Sequence, residues 1–134
     1  MFKPIKIANG DCRRYVQSKQ QFTGSNMFGR WEHPTRCLIT NIKSKSMHYV
    51  VYSYGNHFPI YVFIEGRWFE NTENYSRTTG RHKSQAHPHP EEGTIEVNLD
   101  IMLVLSNYGL AVVNARRLGV VYNADRTADE AVPY

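Results

Sequence analysis

Residues 75–82, Tyr-Ser-Arg-Thr-Thr-Gly-Arg-His, bring four hydroxyls, two guanidiniums and an imidazole into eight positions. Side chains of these types hold anions and polar partners and add little to a core. If Thr78 or Thr79 opens a helix, its free backbone N–H groups lie beside Arg77 and Arg81, a generic site for phosphate or carboxylate. Tyr75, Ser76 and His82 supply further hydrogen bonds. The competing reading is structural: the hydroxyls cap the helix and the arginines are solvated. A third reading pairs His82 as a base with the hydroxyl of Ser76 or Thr79 as a nucleophile. No orienting carboxylate stands at a recognisable spacing, although Glu73 is near. His82, His87 and His89, with His57 or Glu91, raise the question of a metal. Zinc needs three or four converging ligands, and this spacing matches no standard finger. The chain carries no H-E-x-x-H, no G-x-S-x-G and no Gly-rich phosphate loop. The expectation is therefore a binding site with no cofactor, no metal and no catalytic residues, and a chain that leans away from being an enzyme.

Something must present this run, and the segment before it is suited to do so. Residues 35–42, 47–54, 58–64 and 67–69 are rich in β-branched and aromatic side chains. Turns at 43–46, Gly55-Asn56 and Glu65-Gly66 separate them, which predicts an antiparallel meander over 35–70. Pro59 cannot donate to a ladder and belongs at a strand start or on an edge. Large side chains on both faces of 47–54 predict a strand covered on both sides. The polar segment 71–93 holds a short helix ending at Ala86, stopped by His87-Pro88-His89-Pro90.

Residues 94–122 mix two periods. A strand to Val97 is expected, then a helix from Leu99 to Tyr108 with Asn98 as its cap and Gly109 as its stop. A second helix follows over 110–118, closed by Arg116 and Arg117. Residues 123–134 are expected to form a frayed polar tail. At the front, 1–34 reads as an irregular basic segment, with a short strand near 2–8, a short helix near 11–21 and a loop over 22–34. In that loop Met27-Phe28-Gly29-Arg30-Trp31 is either a stacking surface for bases or a cover for the sheet edge. The fold class expected is α+β in one domain: an antiparallel sheet of about four to five strands with C-terminal helices on one face.

The 134 residues are enough for one core without staples. The net charge of +4 conceals a gradient of +7 over 1–50, +1 over 51–90 and −4 over 91–134. A basic front seeks nucleic acid or an acidic surface, or pairs with the acidic end of the same fold or of a second subunit. Cys12 and Cys37 have no paired spacing and are expected as reduced thiols. No apolar run approaches the roughly 20 residues of a membrane span, so no membrane partner is expected.

Two stretches together carry a resemblance. One is Ser53-Tyr54-Gly55-Asn56-His57-Phe58-Pro59-Ile60; the other is Asn74-Tyr75-Ser76-Arg77-Thr78-Thr79-Gly80-Arg81-His82, followed by Tyr108-Gly109 and Arg117-Leu118. Over residues 47–120 the chain resembles small phage- and plasmid-encoded proteins that share a Ser-Tyr…Pro-Ile strand and a Tyr-Ser-x-Thr-Thr-x-x-His segment. Residues 1–34 have no counterpart. The resemblance implies an accessory phage-type protein without enzyme activity, acting in the host cytoplasm. The function expected is inhibition of a host defence or nucleic-acid-processing machine, in the manner of an anti-CRISPR protein. Its partner would be a host protein or ribonucleoprotein, and its contacts Tyr75, Ser76, Arg77, Thr78, Thr79, Arg81 and His82, with Arg13, Arg14 and Lys19. The alternatives are capture of a phosphate-bearing nucleotide stacked on Tyr75 or Trp68, and a small enzyme using Ser76 or His82. A homo-oligomer is compatible with the charge gradient.

Overall fold

The structure is a computed structural model that describes residues 4–116. Seven strands stand side by side in chain order: β1 (Ile5–Lys6), β2 (Phe22–Thr23), β3 (Met27–Glu32), β4 (His48–Ser53), β5 (Pro59–Ile64), β6 (Arg67–Asn71) and β7 (Ile95–Val97). Strands β2 to β6 are antiparallel, whereas β1 with β2 and β6 with β7 are parallel. A parallel pair needs a crossover, and helices supply both. Helix α1 (Arg13–Gln17) joins β1 to β2, and α2 (Arg77–Ala86) joins β6 to β7. Both crossovers leave strands of the same direction and step the same way across the sheet. The right-handed rule for such connections therefore places both helices on one face. Helices α3 (Leu99–Tyr108) and α4 (Leu110–Arg116) take the other face.

The result is three layers with two cores. Cys12 and Val16 beside α1 and Ala86 of α2 pack on Phe22, Tyr49, Val51, Tyr61 and Trp68. Ile101, Met102 and Leu105 of α3 and Val113 of α4 pack on Val50, Tyr52, Val62 and Phe69. Because side chains alternate along a strand, Tyr49 and Val51 serve one core and Val50 and Tyr52 the other. The whole of β4 is buried, as its apolar residues on both faces predict.

Several expectations hold at the level of single residues. Asn98 caps α3 by accepting the Ile101 N–H at 3.0 Å, and Gly109 ends it with φ 93°. Glu65 and Gly66 form the β5–β6 turn with φ 50° and 81°, the left-handed pair of a tight hairpin. Pro59 opens β5. Others are corrected. The fold is mixed α+β, but the sheet has seven strands, not four to five, and the helices cover both faces. Three of the strands, β1, β2 and β7, have only two or three residues, too few for a periodic signal. The strand expected over 35–42 is a loop with one bridge between Cys37 and Ile42, and the strand preceding β4 is instead Met27–Glu32, within the expected loop.

Gly29 and Pro34 suggested a break there. Yet Gly29 lies inside β3, where a side chain would collide with the Tyr49 hydroxyl and the Phe22 ring. The glycine is required by close packing, not by a turn. In the same strand Phe28 stacks on Tyr52 at 4.9 Å and the Arg30 guanidinium lies over the Phe28 ring, so this aromatic segment covers the sheet. Arg117, Leu118 and the tail over 123–134 lie outside the described residues. Both cysteines are free and buried, and burial pushes the Cys12 thiol up to about 11.

Two glycines test this packing with opposite signs. Gly29→Ala is expected to lower stability by about 1–3 kcal/mol through overpacking. Gly80→Ala in α2, where an added methyl meets nothing within 4 Å, is expected to raise it by about 0.4–1 kcal/mol. Urea unfolding of the two variants beside the parent chain measures both.

Candidate functional site

The site is built where β4 ends. Between Val51 and Tyr52 the β4–β5 register shifts, so that Tyr52 faces Pro59. Such an irregularity re-aims the chain beyond it. Ser53 is fully buried, and its N–H donates to the Phe58 carbonyl at 3.1 Å. Tyr54 follows with φ 72°, a left-handed conformation that a bulky residue rarely adopts. Its N–H donates to the Asn26 carbonyl at 2.8 Å, which holds the turn to β3.

Helix α2 delivers the second half. Ser76 and Thr79 form a reciprocal capping box, and Thr79 Oγ1 accepts the Ser76 N–H at 3.2 Å. The cap fixes the phase of the helix. Thr79, His82 and Ala86 then recur at helical spacing on its buried side. His82 lies against the end of β4, with Nδ1 2.8 Å from Ser53 Oγ.

The proton on His82 can be placed from its neighbours. The Ser25 N–H donates to Asn9 Oδ1 at 2.9 Å, so the Asn9 amide nitrogen must point the other way. That Nδ2 donates to Asn26 Oδ1 at 2.8 Å and lies 3.5 Å from His82 Nε2. An amide nitrogen is only a donor, so the Asn9–Nε2 contact is a hydrogen bond in the tautomer with a bare Nε2, and in that tautomer Nδ1–H donates to Ser53. Burial lowers the His82 pKa, and the neighbouring Arg81 charge lowers it further. Both act against a charged imidazole at neutral pH. In the Nδ1–H tautomer the Ser53 hydroxyl oxygen accepts the hydrogen bond.

Above this buried pair is an aromatic surface. The Tyr54 ring lies 5.4 Å from the His82 ring and 5.9 Å from that of Tyr75. Tyr75 also touches Phe58 and, edge-on, His57. Tyr54 is 40% exposed and Tyr75 63% exposed. Arg77 and Arg81 are exposed on the adjoining helix. Asn71 locks the approach to it: its side chain donates to the Pro59 carbonyl at 3.0 Å and accepts the Glu73 N–H at 2.8 Å. The two segments that carried the resemblance, 53–60 and 74–82, therefore meet in one place.

The expected contact residues fall into three groups. Tyr75, Ser76, Arg77 and Arg81 are exposed around the site and Thr78 is half-buried there, although the Ser76 hydroxyl belongs to the cap. Thr79 and His82 are buried and support the surface from beneath. The basic residues of the front segment lie apart from it. Arg13 donates to the Ser84 carbonyl at 2.6 Å near the far end of α2. Arg14 lies over the Tyr15 ring and Lys19 over the Phe63 ring. Trp68 is buried in the core and offers no stacking face. His87 and His89 stack on each other at 4.2 Å beside Glu70, away from the His82–Ser53 pair. Among the described residues no group of three His, Cys, Asp or Glu converges as metal ligands would.

Ser53, Tyr54, Asn9, Asn26 and His57 are absent from the expected contact set. Ser53, Tyr54 and His57 stand in the first familiar stretch, the only signal for Ser53 and Tyr54, whereas His57 also entered as a candidate metal ligand. Asn9 reaches His82 across 73 positions of chain, and Asn26 meets the Tyr54 N–H from the far side of the β3–β4 connection, separations that no local pattern encodes. A second buried histidine, His48, lies 2.6 Å from the Ser106 carbonyl through Nε2, and its Nδ1 has no partner among the described residues. Burial lowers its pKa as well, against the opposing pull of that carbonyl and of Glu32.

No protein-family model matches the chain, and neither does any curated protein or solved structure. Among the described residues no helix is long and apolar enough to cross a membrane.

The two buried histidines set a pH dependence. The unfolded chain takes up these protons near pH 6.5, the folded chain only at lower pH. The unfolded state therefore binds more protons in that window, and stability falls as pH drops below about 6.5. NMR titration should place the His82 pKa below its ordinary value, and urea midpoints should decrease from about pH 7.5 to pH 5.5. A His82 that titrates at its ordinary value would mean that its ring is hydrated.

Proposed function

We propose that the protein is a non-enzymatic accessory protein of phage type that occludes a nucleic-acid-processing or defence machine of the host. Its contact face is Tyr54, His57, Tyr75, Arg77 and Arg81. One observation carries this reading: two exposed tyrosines stand beside two exposed arginines, on a base held rigid by buried hydrogen bonds. Aromatic rings accept bases of any identity, and arginines follow the phosphate backbone. Such a face suits the single-stranded nucleic acid, or the ribonucleoprotein groove around it, that such a machine displays. The non-enzymatic part rests on the direction of the Ser53–His82 bond and on the use of the Ser76 hydroxyl as a cap. Neither hydroxyl is prepared for attack.

A second reading, capture of a phosphate-bearing nucleotide, is favoured by Tyr75 standing at the open end of α2. A base on that ring would bring its phosphate towards the first N–H groups of the helix. Thermal-shift measurements with mononucleotides and cyclic nucleotides separate the two readings, since tight capture stabilises the fold by mass action.

The experiment for the leading reading is a titration with single-stranded oligonucleotides and with candidate effector complexes at low and high salt. Tyr75→Ala is expected to weaken binding by about 1–3 kcal/mol while leaving the fold intact. Arg77→Ala is expected to reduce the salt slope by about one unit. Failure to bind both nucleic acid and effector complexes would end the proposal.

A further inference from the structure

The loop between β3 and β4 carries an apolar tip that no core absorbs. Leu38 is 90% exposed and Ile39 80% exposed, side by side at the turn. The loop is well fixed. The Cys37 N–H donates to the Ile42 carbonyl at 2.9 Å, and the Asn41 N–H returns to the Cys37 carbonyl at 2.6 Å. Arg36 Nη1 donates to the Asn41 carbonyl at 3.1 Å. At the base, Cys37 is buried and the Thr35 N–H donates to the Asn107 carbonyl of α3 at 2.8 Å. A knob fixed in this way loses little conformational freedom when it docks. Around it are the exposed cations Arg36, Lys43 and Lys45, and the chain has no Asp or Glu from residue 33 to 64.

The opposite composition surrounds β7. Glu91 and Glu92 precede it, Glu96 lies within it and Asp100 follows it, all exposed. The chain has no Lys or Arg from residue 84 to 115. Lys83 is within electrostatic reach of Glu70, Glu96 and Glu73, and Glu91, Glu92 and Asp100 lie in sequence on either side of β7. Among the described residues this strand stands at one end of the sheet, paired with β6 alone. Two strands, β5 and β6, separate it from β4, a distance of about 14 Å. That strand spacing exceeds the Debye length of about 8 Å at physiological salt, which weakens attraction between exposed charges so far apart.

We infer that the protein associates head to tail with a second copy of itself, the Leu38–Ile39 knob and its basic collar in one chain docking on the acidic β7 edge of the next. The charges are complementary between copies, and the rigid tip supplies the apolar centre. The contact is heterologous, because knob and edge are different surfaces, so it extends beyond a closed pair unless rotation brings it into a ring. Its small apolar area makes it weak and dependent on concentration and salt. A lipid surface is the poorer fit, since the tip lacks the Trp or Tyr that settle at a membrane interface. The inference is independent of the Tyr54–Tyr75 face.

Sedimentation velocity on the full chain tests it. At low salt the average mass should at least double as concentration rises, and high salt should return it to that of a single chain. Leu38→Asp with Ile39→Asp should stay monomeric with an unchanged circular dichroism spectrum. Lys43→Glu with Lys45→Glu, and separately Glu91→Lys with Glu92→Lys, should each be monomeric alone and associate when mixed. Association on mixing also shows that both variants are folded, since each supplies one half of the restored contact. A parent chain that is monomeric throughout, or association unchanged by the knob variant, would overturn the inference. Binding of the monomeric parent chain to phosphatidylserine vesicles through Leu38 and Ile39 would also overturn it.

Discussion

The site depends on one hydrogen bond, between His82 Nδ1 and Ser53 Oγ at 2.8 Å, inside the protein. It ties the end of the central strand to the crossover helix α2. Strand β4 is buried on both faces, so the chain leaving it must turn without breaking either core. It does so through Tyr54 and Gly55, with φ 72° and 146°. A bulky residue in that conformation costs on the order of 1–3 kcal/mol and persists only where its surroundings determine it. Here Ser53 is held by Phe58 and His82, and Tyr54 by Asn26. The reward is placement: the Tyr54 ring is turned outward onto His82 and next to Tyr75.

The same bond decides the electrostatics. A buried histidine contacted by a carboxylate would carry charge; one contacted by a serine and an amide does not. The surface above it is thus positive through Arg77 and Arg81, with an uncharged and rigid floor. The proposed contact with nucleic acid would use that division, with cations that follow phosphates and rings that stay fixed.

Much of this was legible in the sequence, and the rest was hidden for physical reasons. Asn98, the helix from Leu99 to Tyr108 and Gly109 were readable because cap, stripe and stop agree within a dozen residues. The end of α2 at Ala86 was readable because His-Pro-His-Pro cannot continue a helix. The polar run 75–82 pointed to the right region, yet its hydroxyls divide between cap and surface in a way that only the phase of α2 decides. The strand Met27–Glu32 was hidden because Gly29 looks like a breaker until Tyr49 and Phe22 are placed beside it. Asn9 and Asn26 were hidden because their roles exist only once β1 to β4 stand side by side. Leu38 and Ile39 misled in the opposite sense: an apolar pair of β-forming type suggests a strand, and here it stands in solvent.

The most direct measurement of the central claim is the ring nitrogen spectrum of His82 in uniformly nitrogen-labelled protein near neutral pH. The account predicts a neutral ring with the proton on Nδ1 and a bare Nε2, a pattern that Ser53→Ala should perturb. A proton on Nε2, or a charged imidazolium, would contradict it.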